Sequence, residues 1–400
     1  MPSRQLKDVV VVGAGVAGTR AAETLRQEGY DGALTIVGSE RQAPYHRPPL
    51  SKKLLTGEVH RAGVDLAPQF DFEARVLRGA SALKLDMAAR VVHVRDENQD
   101  LAVRFDGLVI ASGAVPRQWP GPVPDGVFVL RTVEDCLAIR QRLGSRPRVV
   151  VVGGGFIGAE VAASCRSLGL DVVLIEKATS PLLAALGGEL APRWADLHRD
   201  HGVDLRVGVG VDAFVGDGRV EAVRLTDGSQ VPADLVVIGL GVTPVTDWLE
   251  GSGVPVDDGV VCDATGAVEG GTDVVAAGDV ARWFHPLYER HLRTEHWDDA
   301  GRQGAFAART LLAGPDDAEA YVDVPYFWSD QYDVKVQMLG VPTDYDALEV
   351  IEGDPDTWEF LAAYGRGGRT IAVLGTVSNR VYAYRDAIAR RAEFPPQRPD

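Results

Sequence analysis

Apolar residues in this chain gather in short unbroken runs, and two of the runs end in the same glycine pattern. Val9–Val12 leads into Gly13, Gly15 and Gly18, and Val149–Val152 leads into Gly153, Gly155 and Gly158. An unbroken apolar run of this length reads as a strand buried on both faces, as in parallel sheets. A helix-type pattern follows each turn, over Thr19–Gln27 and Val161–Leu168, and then a second apolar run, Leu34–Val37 and Val172–Ile175. The pattern predicts strand–turn–helix–strand twice, over residues 1–40 and 148–176.

Between these units the pattern changes. Pro44, Pro48 and Pro49 fall within a short stretch, which precludes a regular helix or central strand there and predicts a rigid loop holding Arg47 and Lys52 at defined places. Short strands are predicted at Arg75–Leu77, Ala82–Leu85, Val91–Val94, Leu101–Phe105 and Leu108–Ala111, the last closing in the small-residue turn Ala111, Ser112, Gly113. A helix is predicted from Arg131–Asp135 toward Gly144. Strands follow around 205–209, 220–225 and 235–239, the last ending in a third glycine turn through Gly239 and Gly241 to Pro244. Val274–Val280 reads as a strand ending on Asp279 after Ala277 and Gly278, and Ala300–Leu312 as a helix. From about residue 322, short alternating strands and a final helix over Ala383–Ala392 predict a separate α+β domain whose aromatics, Trp328 among them, read as core.

The paired glycine pattern carries a chemical expectation. The first glycine makes the tight turn, the second lets backbone approach a pyrophosphate, and the third lets helix and strand pack closely. The helix N-terminus offers free N–H groups and partial positive charge to the phosphates. An acid about 20 residues on grips the ribose hydroxyls. Glu176 fills that place in the second unit, while Ser39 and Glu40 are both candidates in the first. Two such units imply two dinucleotides, and the usual pair is a flavin and a nicotinamide.

Composition narrows the class. The chain has 400 residues, is 46% hydrophobic and carries a formal charge of −16, which argues against a nucleic-acid partner and for two or three globular domains. No apolar run approaches the roughly 20 residues needed to span a bilayer. The first strand starts at Asp8, leaving no room for a signal peptide, so a cytoplasmic location without membrane association is expected. Cys136, Cys165 and Cys262 are widely spaced and read as unpaired buried thiols. His198 and His201 stand three apart on a predicted helix. With no third ligand at metal spacing, they read as a surface pair, and no metal is expected.

The combined motifs resemble the flavoprotein disulfide-reductase superfamily and, within it, the ferredoxin reductases of bacterial oxygenase systems. The stretches that carry the resemblance are Gly13–Gly18, Pro48–Lys52, Ala111–Gly113, Gly153–Glu160, Gly239–Pro244, Ala277–Asp279 and Trp328–Gln331, in family order along nearly the whole chain. The resemblance implies an α/β fold: two Rossmann-like dinucleotide-binding domains, for FAD and NAD, of glutathione-reductase type, plus a C-terminal α+β domain. It implies an FAD domain over 1–115 and 246–320, an NAD domain over 116–245, and the C-terminal domain over 321–400. Gly13, Gly15, Val16, Ala17 and Gly18, with Ser39 or Glu40, would hold the ADP half of FAD. Arg47, Lys52, Ala82, Ala111, Ser112, Gly113 and Arg131 match flavin-contacting positions, and Gly278, Asp279 and Trp297 complete that set. Gly153, Gly155, Phe156, Ile157, Gly158 and Glu176 would hold NADH, and Gly241 is a further cofactor-binding position. Lys52 and Glu160 match the pair beside the reactive edge of the flavin. There a lysine would polarise the ring, and the glutamate would fix the lysine and help place the nicotinamide. The chain departs from the family at Val245, where an asparagine is common, and at Ser39, where an acid is common.

Glu176 also bears on nicotinamide choice. A carboxylate faces a 2′-phosphate as a like charge, worth up to about 4 kcal/mol at ~4 Å and an effective dielectric near ~20, so NADH is expected over NADPH. No cysteine lies in 41–60, and Cys165 has no partner, so a disulfide or sulfenate relay is not expected. Direct transfer to a [2Fe–2S] ferredoxin feeding an oxygenase or a cytochrome P450 is the expected route. A reductase acting on a quinone or oxygen is the alternative. A flavoprotein with a mainly binding role, like apoptosis-inducing factor, is disfavoured by the acidic charge. Docking an acidic ferredoxin would need a local basic patch, for which Arg290, Arg293, Arg302, Arg309, Arg366, Arg369 and Arg380 are candidates, each read alone as a solvated arginine.

Overall fold

The structure is a computed structural model and describes residues 6–68, 70, 72–97, 99–377 and 379–398. It divides into two units. One comprises the chain up to His46 with Asp65–Val115 and Thr243–Phe327; the other comprises Arg47–Val64, Pro116–Val242 and Trp328 onward.

The first unit is built on a five-stranded parallel sheet ordered Val274–Ala276, Gly107–Ile110, Asp8–Val12, Ala33–Gly38, Arg75–Arg78. Val9–Val12 lies at its centre, every side chain buried, which is why the run has no polar alternation. An antiparallel three-stranded sheet, Ser81–Asp86, Val91–Arg95 and Asp100–Arg104, is added to it in sequence. The helix Val16–Gln27 packs against a second helix, Trp297–Ala313, through small residues: a Cβ on Gly304 would collide with the Ala17 backbone.

The second unit repeats the plan. Its parallel sheet runs Asp204–Val207, Val172–Glu176, Val149–Val152, Leu235–Ile238, Val127–Val129, again with the glycine strand in the middle. A three-stranded antiparallel sheet, Val211–Val215, Ala222–Leu225 and Gln230–Pro232, accompanies it. The helix Val133–Leu143 starts at a reciprocal cap. Asp135 N–H donates to Thr132 Oγ1 at 3.2 Å, and the Asp135 carboxylate accepts from Thr132 N–H at 2.8 Å. A further five-stranded sheet takes the order Tyr326–Gln331, Val334–Gly340, Arg369–Gly375, Glu359–Arg366, Ala347–Asp354.

Three predicted elements change. Pro48–Ser51 forms a 3-10 turn and Lys53–Thr56 one helical turn, because proline is suited to the first positions of a helix. The strand before Asp279 ends at Ala276, and Asp279 sits in the 3-10 turn Gly278–Val280. The final helix is shorter, a 3-10 turn over Arg380–Tyr384 followed by Arg385–Ala389. Among the described residues no helix is long and apolar enough to cross a membrane.

Candidate functional site

Each glycine turn is set by main-chain hydrogen bonds at the mouth of its parallel sheet. Gly13 N–H donates to Val37 O at 2.7 Å, and Gly153 N–H donates to Ile175 O at 2.8 Å. Both glycines take positive φ, 122° and 101°, and a Cβ would strike the carbonyl of Ala111 at the first and of Gly239 at the second. Gly18 and Gly158 are needed for packing too, since a Cβ there would strike the carbonyl of Gly13 or Gly153. The middle glycines differ from all of these. Gly15 and Gly155 are exposed, have φ that any residue adopts, and a Cβ on either would meet nothing within 4 Å. The chain's own packing therefore gives no reason for glycine at these two places, and the close approach of a ligand does. Both glycines cap helices with no side-chain hydrogen bond and no acid in the first turn, which leaves the N–H groups and positive helix end open to an anion. The residues present fit a pyrophosphate at each turn.

Beside the first turn, Ser39 is exposed just past the strand Ala33–Gly38, and Glu40 accepts a short hydrogen bond from the Tyr45 hydroxyl. Gly278 lies against Ala17 and Ala300, with its N–H donating to Gln303 Oε1 at 2.9 Å. Gln303 is held in turn by buried Asp299, which also accepts from Tyr321 at 2.8 Å, and Arg293 donates to the backbone oxygen of Asp279 at 3.3 Å. The Ala111–Gly113 turn is braced by Val245, whose N–H donates to Gly113 O at 2.9 Å and whose oxygen accepts from Ser112 Oγ at 2.8 Å. Both contacts use the main chain of Val245, so this bracing does not depend on its side chain. Trp297 lies 5.0 Å from His46 with the two rings tilted by 40°, and the His46 imidazole is held below its usual range by burial and then by Arg20. Ala82 sits beside a bulge in its strand, against the unit's core.

Beside the second turn, Glu176 ends its strand and accepts from Gly154 N–H and Ala178 N–H, each at 2.6 Å, one through each carboxylate oxygen. Both oxygens keep a lone pair for a ribose hydroxyl. Phe156 and exposed Ile157 begin the helix, and Gly241, at φ 84°, accepts from Arg117 N–H at 3.0 Å. Arg47 and Lys52 belong to this unit, and Arg47 donates to Arg131 O at 2.7 Å.

Lys52 and Glu160 meet directly: Nζ lies 2.6 Å from Glu160 Oε2. The pair is closely surrounded. Ser51 Oγ donates to the same oxygen at 2.5 Å, Ser329 Oγ donates to Oε1 at 2.6 Å, and Lys52 Nζ donates to Pro48 O at 3.2 Å. The segment holding Lys52 is pinned to the glycine helix by Ser164 Oγ, which donates to Ser51 O at 2.7 Å. A carboxylate with only 3% exposure is thus matched by an ammonium and two hydroxyls, which is what its burial requires. Ser51, Ser329 and Gln331 lie inside the Pro48–Lys52 and Trp328–Gln331 motifs, but the sequence alone assigns them no role.

One sequence expectation is corrected. His198 is not a surface residue: it is fully buried, with Nδ1 2.9 Å from the Tyr332 hydroxyl, and burial lowers its pKa to about 4. Four of the seven arginines suggested for a basic patch have carboxylate partners. Arg293 pairs with Asp258 and Glu295, Arg302 with Asp298 and Asp323, Arg309 with Glu28, and Arg380 with Glu352. All three cysteines are free and buried. Desolvation raises Cys136 and Cys165 to about 12 and pushes Cys262 further up, so none presents a thiolate.

Comparison with known proteins agrees with this geometry. The family of pyridine nucleotide-disulphide oxidoreductases matches residues 7–304, and the reductase C-terminal family matches 326–399. The ferredoxin–NAD(+) reductase component of the anthranilate 1,2-dioxygenase system of Burkholderia cepacia is 38% identical over 97% of this chain and 95% of its own. Putidaredoxin reductase of Pseudomonas putida is 34% identical over 92% of this chain and 87% of its own. The crystal structure of the covalent putidaredoxin reductase–putidaredoxin complex matches with a TM-score of 0.90 and 31% identity, over 96% of this chain and 93% of that one. Two sheets with paired glycine turns, and family matches running from the first strand into the tail, place the chain in the pyridine nucleotide-disulphide oxidoreductase family, in the branch that carries a reductase C-terminal domain.

Proposed function

We propose that this protein is an FAD-containing, NADH-dependent ferredoxin reductase that passes single electrons to a [2Fe–2S] ferredoxin serving an oxygenase or a cytochrome P450. The observation that carries this reading is the conjunction, in one chain, of two dinucleotide turns whose middle glycines stand clear and three thiols that are all buried. FAD held there would supply the redox chemistry, accepting a hydride and releasing electrons one at a time. The chain's residues do the rest. The turn at Gly13–Gly18, with Ser39, Glu40, Ala82, Ala111–Gly113, Gly278, Asp279 and Trp297, is read as the FAD site, and Arg47 and Arg131 as further flavin contacts. Gly153–Gly158, Glu176 and Gly241 are read as the NADH site. Lys52 supplies a fixed positive charge beside the ring, and Glu160 keeps that ammonium in place. Residues 1–115 with 246–320 are read as the FAD domain, 116–245 as the NAD domain and 321–400 as the C-terminal domain, working in the cytoplasm.

One observation favours a second reading, a reductase of quinones or oxygen: four of the seven arginines nominated for docking carry carboxylate partners, which lowers the positive charge they offer an acidic partner. Anaerobic stopped-flow separates the two. Protein reduced with NADH is mixed with a panel of [2Fe–2S] ferredoxins, a quinone, or oxygen. Fast, salt-sensitive reoxidation by a ferredoxin is expected. Reoxidation only by quinone or oxygen would replace the first reading with the second.

A further inference from the structure

The Trp328–Gln331 stretch has a defined place in the structure that the reading above leaves unused. Ser329 and Gln331 stand two apart on a strand, so they share a face, and that face is fully inside: they are 0% and 1% exposed. Ser329 Oγ lies 2.6 Å from Glu160 Oε1, and Gln331 Nε2 lies 3.2 Å from Ser329 Oγ. The direction of these bonds follows from donor counting. A carboxylate only accepts and a serine has one proton, so that proton goes to Glu160, and the serine must accept from the amide nitrogen of Gln331. The two carboxylate oxygens are therefore held separately. Oε2 takes Lys52 and Ser51, while Oε1 takes Ser329.

We propose that Ser329, oriented by Gln331, is a positioning residue for the Lys52–Glu160 pair: it holds the far oxygen of the Glu160 carboxylate so that the near oxygen stays on the Lys52 ammonium. Without it, Oε1 is a buried acceptor with no donor, and the carboxylate gains by rotating toward one of the donors it already shares. Lys52 then loses its fixed partner and the ammonium loses its fixed place. The tail thus supplies part of the reaction centre, and the serine–glutamine spacing of its first strand is what the geometry demands. The inference rests on the reading of Lys52 and Glu160 as the pair beside the reacting ring.

The test is the limiting rate of flavin reduction by NADH in anaerobic rapid mixing of the FAD-loaded protein, across a double-mutant cycle. Lys52→Met is expected to slow reduction by about 100-fold with FAD retained. Ser329→Ala is expected to slow it by about 5- to 10-fold, with flavin content and NADH affinity unchanged. In the Lys52→Met background Ser329→Ala is expected to change the rate by less than about 2-fold, because no ammonium remains to be placed. Gln331→Leu should act in the same direction by about 2- to 3-fold. Ser329→Cys, of similar size and a weaker donor, gives an intermediate rate and serves if the alanine variant does not fold. If Lys52→Met is slow while Ser329→Ala is silent, or slows both backgrounds equally, the positioning role is overturned. An unchanged rate in Lys52→Met would instead remove the pair itself from the reaction, and this inference with it.

Discussion

At Gly15 the backbone takes φ −74° and ψ −169°; at Gly155 it takes φ −70° and ψ −179°. The helices that follow are both 12 residues long, and each begins with the same N–H···O contact to its capping glycine at 2.9 Å, from Thr19 in one and Ala159 in the other. One turn further the two part. At corresponding helix positions stand Arg20, which pairs with Glu23 of its own helix at 2.5 Å, and Glu160, which reaches Lys52. The first helix is packed against Trp297–Ala313 through glycine and alanine, and the second against the Pro48–Thr56 segment. The turn is a backbone device and can be used twice unchanged, while the chemistry is written in side chains that the turn does not constrain.

The glycine that both turns need for their own folding should give the largest effect. Gly13→Ala and Gly153→Ala each put a Cβ onto a neighbouring carbonyl at a backbone conformation hostile to side chains, and each should cost at least about 3 kcal/mol. Thermal unfolding followed by tryptophan fluorescence measures it. An unaltered melt in either variant would mean that the carbonyl can yield, and that the turn is not fixed by sterics.

The middle glycine separates the two turns. Compared as apoproteins, Gly15→Ala and Gly155→Ala should leave stability within about 1 kcal/mol, the modest cost of alanine at a helix N-cap, since neither Cβ meets the protein. Their ligand effects should diverge: Gly15→Ala loses flavin on purification, whereas Gly155→Ala stays yellow and binds NADH about 30-fold more weakly. Flavin absorbance and NADH titration would read this. Flavin loss from both would erase the assignment of one turn to each cofactor.

Much of this was legible in the sequence, for a physical reason. Strand, turn and helix are local, and glycine spacing reports them directly, as does Glu176 at the end of its strand. Ser329 was not legible, because its partner Glu160 is 169 residues away and only the fold brings them together. The sequence left Ser39 and Glu40 as alternatives. The Tyr45 hydroxyl that engages Glu40 belongs to the proline-rich loop, whose path composition does not give. The burial of His198 follows from helical periodicity and not from residue type: it stands four residues after Trp194 on one helix face, and both are fully buried.

A smaller effect is expected at Glu176. Glu176→Gln removes the like charge that would face a 2′-phosphate and leaves a side chain that accepts from only one of the two N–H groups now served. NADH use should weaken and the kcat/KM preference for NADH over NADPH should fall by about 10-fold. An unchanged preference would place the discrimination elsewhere.

The smallest expected effect lies at the other end of the two sheets, where they again resemble each other. Asp106 accepts from Lys7 N–H and Asp8 N–H at the foot of the first sheet, and Asp234 accepts from Arg148 N–H at the foot of the second. The second carboxylate also takes a guanidinium, with Arg148 Nε and a terminal nitrogen at 2.9 and 2.8 Å, whereas at the first Arg90 donates to the Asp106 backbone oxygen. The hydrogen bonds from the Arg148 side chain, then from its backbone, lower the Asp234 pKa to about 2. A folded pKa below the unfolded value means that folding is favoured by the ionised form. The stabilisation is full above the ordinary carboxylate range, near pH 4, and is lost as the pH falls through about 2. Because the pair is more than a third exposed, solvent screening reduces its worth to about 0.5 kcal/mol. Asp234→Asn should therefore lower stability slightly at neutral pH, less in high salt, and not at all near pH 2. Urea unfolding at several pH values measures the difference, and a cost that persisted unchanged at low pH would show that the aspartate acts through packing and not through its charge.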